Sequence, residues 1–107
     1  MERYGSVIKL DSDKLEEYRE LHDNIWSEVQ KIISDYNIRN YSIYYKDGYL
    51  FGYFEYIGKD FVSDMEKMAA EPMTQKWWDI CKPMQIPLAT RRKGEWWAYM
   101  EEVFHQD

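Results

Sequence analysis

The chain has 107 residues, of which 32% are charged, 45% hydrophobic and 18% aromatic, a length and composition that predict one domain over residues 1–107. The 14 Lys and Arg residues against 20 Asp and Glu residues give a net charge of −6. Because the only basic run is the short 91–93 segment, we expect no nucleic-acid partner. No apolar run reaches the roughly 18 residues of a membrane span, and the N-terminus lacks a signal-peptide stretch. We therefore expect a cytoplasmic protein with no membrane partner.

The N-terminal third predicts a strand followed by a long helix. Residues 4–10 have the composition of a strand, and Asp11 to Asp13 offer helix caps. From about residue 14 to residue 36, apolar residues recur three and four positions apart, which predicts one long amphipathic helix. Asn37 tolerates the left-handed backbone that ends a helix.

The next segment, NYSIYYKDGYLFGYFEY, predicts a β-hairpin that turns at Asp47-Gly48. Its alternation places residues such as Tyr44, Phe51 and Tyr53 on the face away from the predicted helices. Left in water, these rings would form an exposed aromatic patch, and a second subunit is the simplest cover. We therefore expect a homodimer.

The remainder predicts two helical pieces and a last strand. Asp60 can cap a helix that Pro72 interrupts, and a second helical piece ends near Pro83. Residues 85–95 read as a loop and residues 96–104 as the final strand. The resulting order, β-α-β-β-α-β, predicts an α+β fold: a ferredoxin-like split sheet with helices on one face, assembled as a dimeric α/β barrel.

One histidine lies among aromatic residues in the first predicted helix. Tyr18, His22 and Trp26 are spaced four apart, so they share one helix face. A lone histidine on such a face is usually a core residue that bonds to a backbone carbonyl, and this interpretation stays open.

Three further aromatic residues can converge on His22. Tyr41 opens the strand after the helix, and Trp77 and Trp78 lie on the helix that covers the same sheet face. A cleft walled by Trp and Tyr suits a small amphipathic ligand: the C–H faces of a sugar, for example, pack on rings while its hydroxyls reach O–H and N–H groups.

The other candidate residues carry less chemistry. His105 is expected to be a solvated tail residue, the single cysteine Cys81 a small buried side chain, and Trp96-Trp97 a packing or subunit-interface pair. No spacing resembles a metal site, a phosphate-binding loop or a nucleotide fingerprint. We therefore expect no metal and no cofactor.

Four strings in this order resemble the L-rhamnose mutarotases over nearly the whole chain. The resemblance implies a single mutarotase-like domain with a ferredoxin-like fold, dimerisation through the sheets, and cofactor-free interconversion of the α and β pyranose anomers of L-rhamnose. It also implies that His22 is the proton-donating residue and that Tyr18, Tyr41, Trp77 and Trp78 contact the sugar. Because the basic loop 85–95 differs from the family pattern, a related deoxy sugar stays open as the substrate. The strings are EEYRELHDNIW (16–26), NYSIY (40–44), QKWWDIC (75–81) and EEVF (101–104).

Two alternatives belong to other functional classes. A dimeric α/β-barrel monooxygenase or haem-degrading enzyme also uses an aromatic cleft between helices and sheet, and His22 would then ligand haem or act as a base. A non-catalytic sugar-binding module would need the same aromatic walls, so the sequence alone does not separate it from an enzyme.

Overall fold

The computed structural model describes residues 1–107 as one antiparallel sheet of five strands with four α-helices. Single helical turns at Ser12–Lys14 and Lys82–Met84 precede α1 and follow α4. In chain order the elements are β1 (Glu2–Leu10), α1 (Leu15–Asp23), α2 (Ser27–Asp35), β2 (Ile38–Lys46), β3 (Tyr49–Tyr56), α3 (Phe61–Ala70), α4 (Pro72–Cys81), β4 (Gln85–Ile86) and β5 (Ala98–Met100).

The strands lie in the spatial order β2-β3-β1-β4, and every pairing is antiparallel. β5 also pairs with β1, and it shares with β4 the edge of β1 that β3 leaves free. The order follows the predicted β-α-β-β-α-β pattern with two differences. A pair of helices lies between β1 and β2 and another between β3 and β4, and two short strands, β4 and β5, replace the single predicted last strand. None of the four helices is long and apolar enough to cross a membrane.

The hairpin turn and the stop before it were both predicted correctly. Asp47 and Gly48 both have positive φ values, 52° and 87°. A two-residue turn with this backbone has the same twist as the two strands that it joins. Asn37, at φ 71°, ends the helical segment in the left-handed region. Local residue chemistry therefore sets the start and the turn of the hairpin.

The prediction of a single helix over residues 14–36 is wrong. The structure has two helices, because the backbone leaves helical geometry after Asp23 and Trp26 is extended, with φ −64° and ψ 135°. At the end of α1, the Asn24 backbone N–H and side-chain amide both donate to the Glu20 carbonyl, at 3.1 and 3.0 Å. The periodicity resumes in phase after the break, so the apolar pattern did not reveal it.

The break at Pro72 was predicted correctly. Pro72 is the first residue of α4, where its missing N–H removes no helical hydrogen bond. The cap at the start of α3 is also as predicted, since the Asp60 carboxylate accepts from the Ser63 backbone N–H at 3.1 Å.

The predicted last strand over residues 96–104 is too long, and the predicted loop 85–95 begins with a short strand. Only Ala98–Met100 pair with β1, opposite Gly5–Val7. Residues Gln85–Ile86 pair with Lys9 and Leu10 further along the same edge. Two short strands thus share this edge of β1. Which residues pair there depends on the path of the chain after α4, and this path is not set by local sequence.

The helices cover one face of the sheet, where the main core forms. Ile8, Leu10 and Leu50 point from β1 and β3 toward Val29 of α2 and Trp77 of α4. Their exposed fractions are 6% or less. Between this helix layer and the sheet lies the cleft described next.

Candidate active site

An open cleft of about 1220 Å³ lies between the helices and the sheet. All five residues proposed from the sequence line it, although they come from α1, β2 and α4. These residues are Tyr18, His22, Tyr41, Trp77 and Trp78.

His22 is held on three sides. Its Nδ1 lies 2.8 Å from the Tyr18 carbonyl oxygen, one helical turn earlier. Its ring stacks on the Tyr18 ring at 4.2 Å between centroids and meets the Trp77 ring edge-on at 5.2 Å. Because a carbonyl can only accept, Nδ1 carries the hydrogen, and the neutral imidazole has its lone pair on Nε2.

Burial lowers the pKa of His22 below its ordinary value of 6.5, against the smaller opposing effects of the Tyr18 carbonyl and Asp23. The imidazole is therefore mainly neutral at pH 7. Nε2 makes no hydrogen bond to the protein, so it is a free base within the cleft.

Two tyrosine hydroxyls lie in the same cleft. Tyr18 is only 5% exposed, and burial raises the pKa of its hydroxyl well above 10.0. Tyr41 is 44% exposed as a residue, and desolvation of its hydroxyl raises the pKa of that group to about 12. Both hydroxyls stay protonated at neutral pH, so they are hydrogen-bond donors and not bases.

The two tryptophans differ in what they offer. Trp77 is 6% exposed and packs edge-on against both His22 and Trp26, with 5.2 Å between ring centroids in each pair. Trp78 is half-buried, and the Lys82 ammonium lies 4.7 Å from its ring centroid. Trp77 therefore fixes the imidazole, while Trp78 and Lys82 form an amphipathic part of the wall.

The sequence did not single out Gln85, and it assigned Trp96 only to packing or an interface. Both line the cleft. The Gln85 amide nitrogen lies 3.1 Å from the Tyr18 hydroxyl, and its oxygen accepts from the Trp96 indole N–H at 2.8 Å. No motif marks a glutamine in this position, because its role depends on β4 pairing with the end of β1.

The weaker candidates lie where they were expected. Cys81 is 3% exposed, and burial raises the pKa of its thiol to about 12. His105 lies in the C-terminal tail, 2.8 Å from the Asp107 carboxylate. No group of three or more His, Cys, Asp or Glu side chains is arranged to hold a metal ion.

The fold and cleft define a small α+β protein in which a neutral imidazole lies among aromatic rings. The family model for L-rhamnose mutarotase matches residues 3–106. The chain is 32% identical to the L-rhamnose mutarotase of Oceanobacillus iheyensis, over the full length of both proteins. The chain therefore belongs to the L-rhamnose mutarotase family, which confirms the resemblance drawn from its sequence.

Solved structures agree with this fold. The L-rhamnose mutarotase of Formosa agariphila superposes with a TM-score of 0.79 at 23% identity, over the full length of both chains. A polyketide cyclase, the tetracenomycin F2 cyclase of Streptomyces glaucescens, superposes with a TM-score of 0.77 at 11% identity, covering 100% of this chain and 98% of that one. Since these likenesses are below 25% identity, they establish the fold and not the activity.

Proposed function

We propose that the chain interconverts the α and β pyranose anomers of L-rhamnose by proton transfer, without a cofactor, and that His22 is its catalytic residue. Membership of the L-rhamnose mutarotase family supports the substrate. The observation that carries the mechanism is the free Nε2 of a neutral imidazole in an aromatic cleft.

The reaction requires one proton to leave the anomeric hydroxyl and one to reach the ring oxygen. His22 Nε2 takes the proton from the anomeric hydroxyl as the C1–O5 bond breaks, and then delivers that proton to the departing ring oxygen. Rotation about C1–C2 exposes the other face of the aldehyde, and the same steps in reverse close the ring. The same imidazole serves in both directions, because the neutral form accepts the proton and the protonated form returns it.

The remaining residues bind and orient the sugar. Tyr18 and Tyr41, which stay protonated, donate to sugar oxygens, including the ring oxygen while it carries negative charge. Trp78 packs on the apolar face that includes the 6-deoxy methyl group. Trp77 contributes a small exposed area to that wall and keeps His22 in place.

Anomer exchange measured by NMR tests this proposal. One anomeric proton signal of L-rhamnose is saturated, and its transfer to the other is followed with and without the protein. We expect the protein to accelerate the exchange, whereas a sugar-binding module would leave it at the uncatalysed rate. A haem-degrading enzyme would instead give a Soret band on titration with haem and no faster exchange.

We also propose that two copies pair through the helix-free face of the sheet into a dimeric ferredoxin-like α/β barrel. Tyr44 and Phe51 are partners in register on this face, and Tyr44 is 67% exposed. Beyond β5, the tail exposes Val103 and Phe104 at 89% and 77%. Apolar surface of this kind favours burial against a partner.

Size-exclusion chromatography with light scattering tests the dimer. We expect the mass of two chains for the wild type and of one chain for Tyr44→Lys. Val62→Lys is the matched control, because Val62 is similarly exposed at 66% but lies on α3. A wild-type mass of 13.1 kDa would contradict the proposal.

A further inference from the structure

The hydrogen bonds of Gln85 leave only one arrangement of donors and acceptors. The Trp96 indole N–H can only donate, so the atom of Gln85 that faces it at 2.8 Å is the amide oxygen. The amide NH₂ must then face Tyr18, at 3.1 Å from its hydroxyl oxygen. Trp96 thereby settles which end of the amide meets Tyr18.

This arrangement fixes the direction of the Tyr18 hydroxyl. The hydroxyl oxygen accepts from Gln85, so its own hydrogen must point elsewhere, and it donates to no protein acceptor. Tyr18 and Gln85 are only 5% and 8% exposed, and both line the cleft. The amide donor also polarises the Tyr18 O–H bond, which makes that group a stronger donor.

We propose that Gln85 is a positioning residue that commits the Tyr18 hydroxyl to donate into the cleft. The inference rests on the mutarotase activity proposed above, and it assigns Tyr18 the task of supporting the sugar ring oxygen as negative charge develops on it. Without the Gln85 amide donor, the Tyr18 hydroxyl can rotate so that its hydrogen points away from the sugar, and the hydrogen bond to the ring oxygen is lost.

Gln85→Glu changes the direction of the bond with little change in shape. An ionised carboxylate accepts from both Trp96 and Tyr18, which turns the Tyr18 hydrogen away from the sugar. We expect anomer exchange at pH 7.5 to be about 10- to 100-fold slower than in the wild type. When protonated, the introduced carboxyl group can again donate to Tyr18, so the ratio of variant to wild-type rate should rise as the pH falls toward 5.

Gln85→Met and Gln75→Glu are the comparisons. Gln85→Met lacks both hydrogen bonds and should be slower by about tenfold, with a rate ratio that does not vary with pH. Gln75→Glu makes the same change at an exposed glutamine of α4 outside the cleft. The ratio of its exchange rate to the wild-type rate should stay near one. Thermal unfolding of each variant records whether it remains folded.

A double-mutant cycle tests whether Gln85 acts through Tyr18. In a Tyr18→Phe background, Gln85→Met should slow exchange by less than about twofold, because the hydroxyl it positions is absent. The inference is overturned if Gln85→Met retains the wild-type rate, if its effect is undiminished in Tyr18→Phe, or if the Gln85→Glu ratio is constant with pH. A wild-type chain that does not accelerate exchange overturns the proposed function and this inference together, whereas an active wild type with indifferent variants overturns the inference alone.

Discussion

Replacing His22 by alanine removes the only imidazole of the cleft while leaving its aromatic walls in place. The His22 side chain, on α1, lies between the rings of Tyr18 and of Trp77 on α4, so the change also opens a small void beside those rings. The fold should survive, because the main core of Ile8, Leu50 and Val29 does not include His22.

The size of the effect follows from the groups that remain. Tyr41, with a pKa of about 12, is ionised in about one molecule in 10⁵ at pH 7. Tyr18 has a pKa raised even further from the ordinary value, so neither hydroxyl can replace the lost base. We expect His22→Ala to slow enzymatic exchange by about 10² to 10⁴-fold, which corresponds to about 3 to 5 kcal/mol of activation free energy.

Polarimetry of freshly dissolved α-L-rhamnose, or the saturation-transfer NMR experiment, measures the rate above the uncatalysed background. His105→Ala is the matched control, because the second histidine lies in the exposed tail beside Asp107. It should equilibrate the sugar like the wild type. If His22→Ala equilibrated α-L-rhamnose as fast as the wild type, the assignment of the proton transfer to His22 would be refuted.

Three further predictions concern stability, each measured by urea unfolding. Burial lowers the pKa of His22 in the folded chain, so the unfolded chain binds the proton more tightly and the free energy of unfolding should fall as the pH drops from about 6.5. His22→Gln should weaken this pH dependence, and an equal dependence in the variant and the wild type would contradict the prediction. Leu50→Ala, at a position 2% exposed, should cost about 2 to 5 kcal/mol, against at most about 0.5 kcal/mol for the exposed Val62→Ala. Gly58→Ala should cost about 1 to 3 kcal/mol, because its methyl group would overlap the Tyr56 hydroxyl; an unchanged midpoint would show that this contact relaxes freely.

Local chemistry determined several features that the sequence predicts by itself. The hairpin turn at Asp47-Gly48, the helix start at Pro72 and the cap at Asp60 depend on residues close in sequence. The grouping of Tyr18 with His22 is of the same kind, since a spacing of four on a helix brings two side chains together. These features need no knowledge of distant contacts.

Tertiary structure decided the rest. The break between α1 and α2 was hidden because the apolar period continues in phase across it. The edge of β1 is shared, since β4 pairs with Lys9 and Leu10 while β5 pairs only with Gly5–Val7. Gln85 gained its place beside Tyr18 for the same reason: 67 positions separate the two residues, and only the pairing at the end of β1 brings them within hydrogen-bond distance. The sequence thus determined which side chains could do the chemistry. The direction in which the Tyr18 hydroxyl can donate depends on its contact with Gln85, which forms only when β4 pairs with β1.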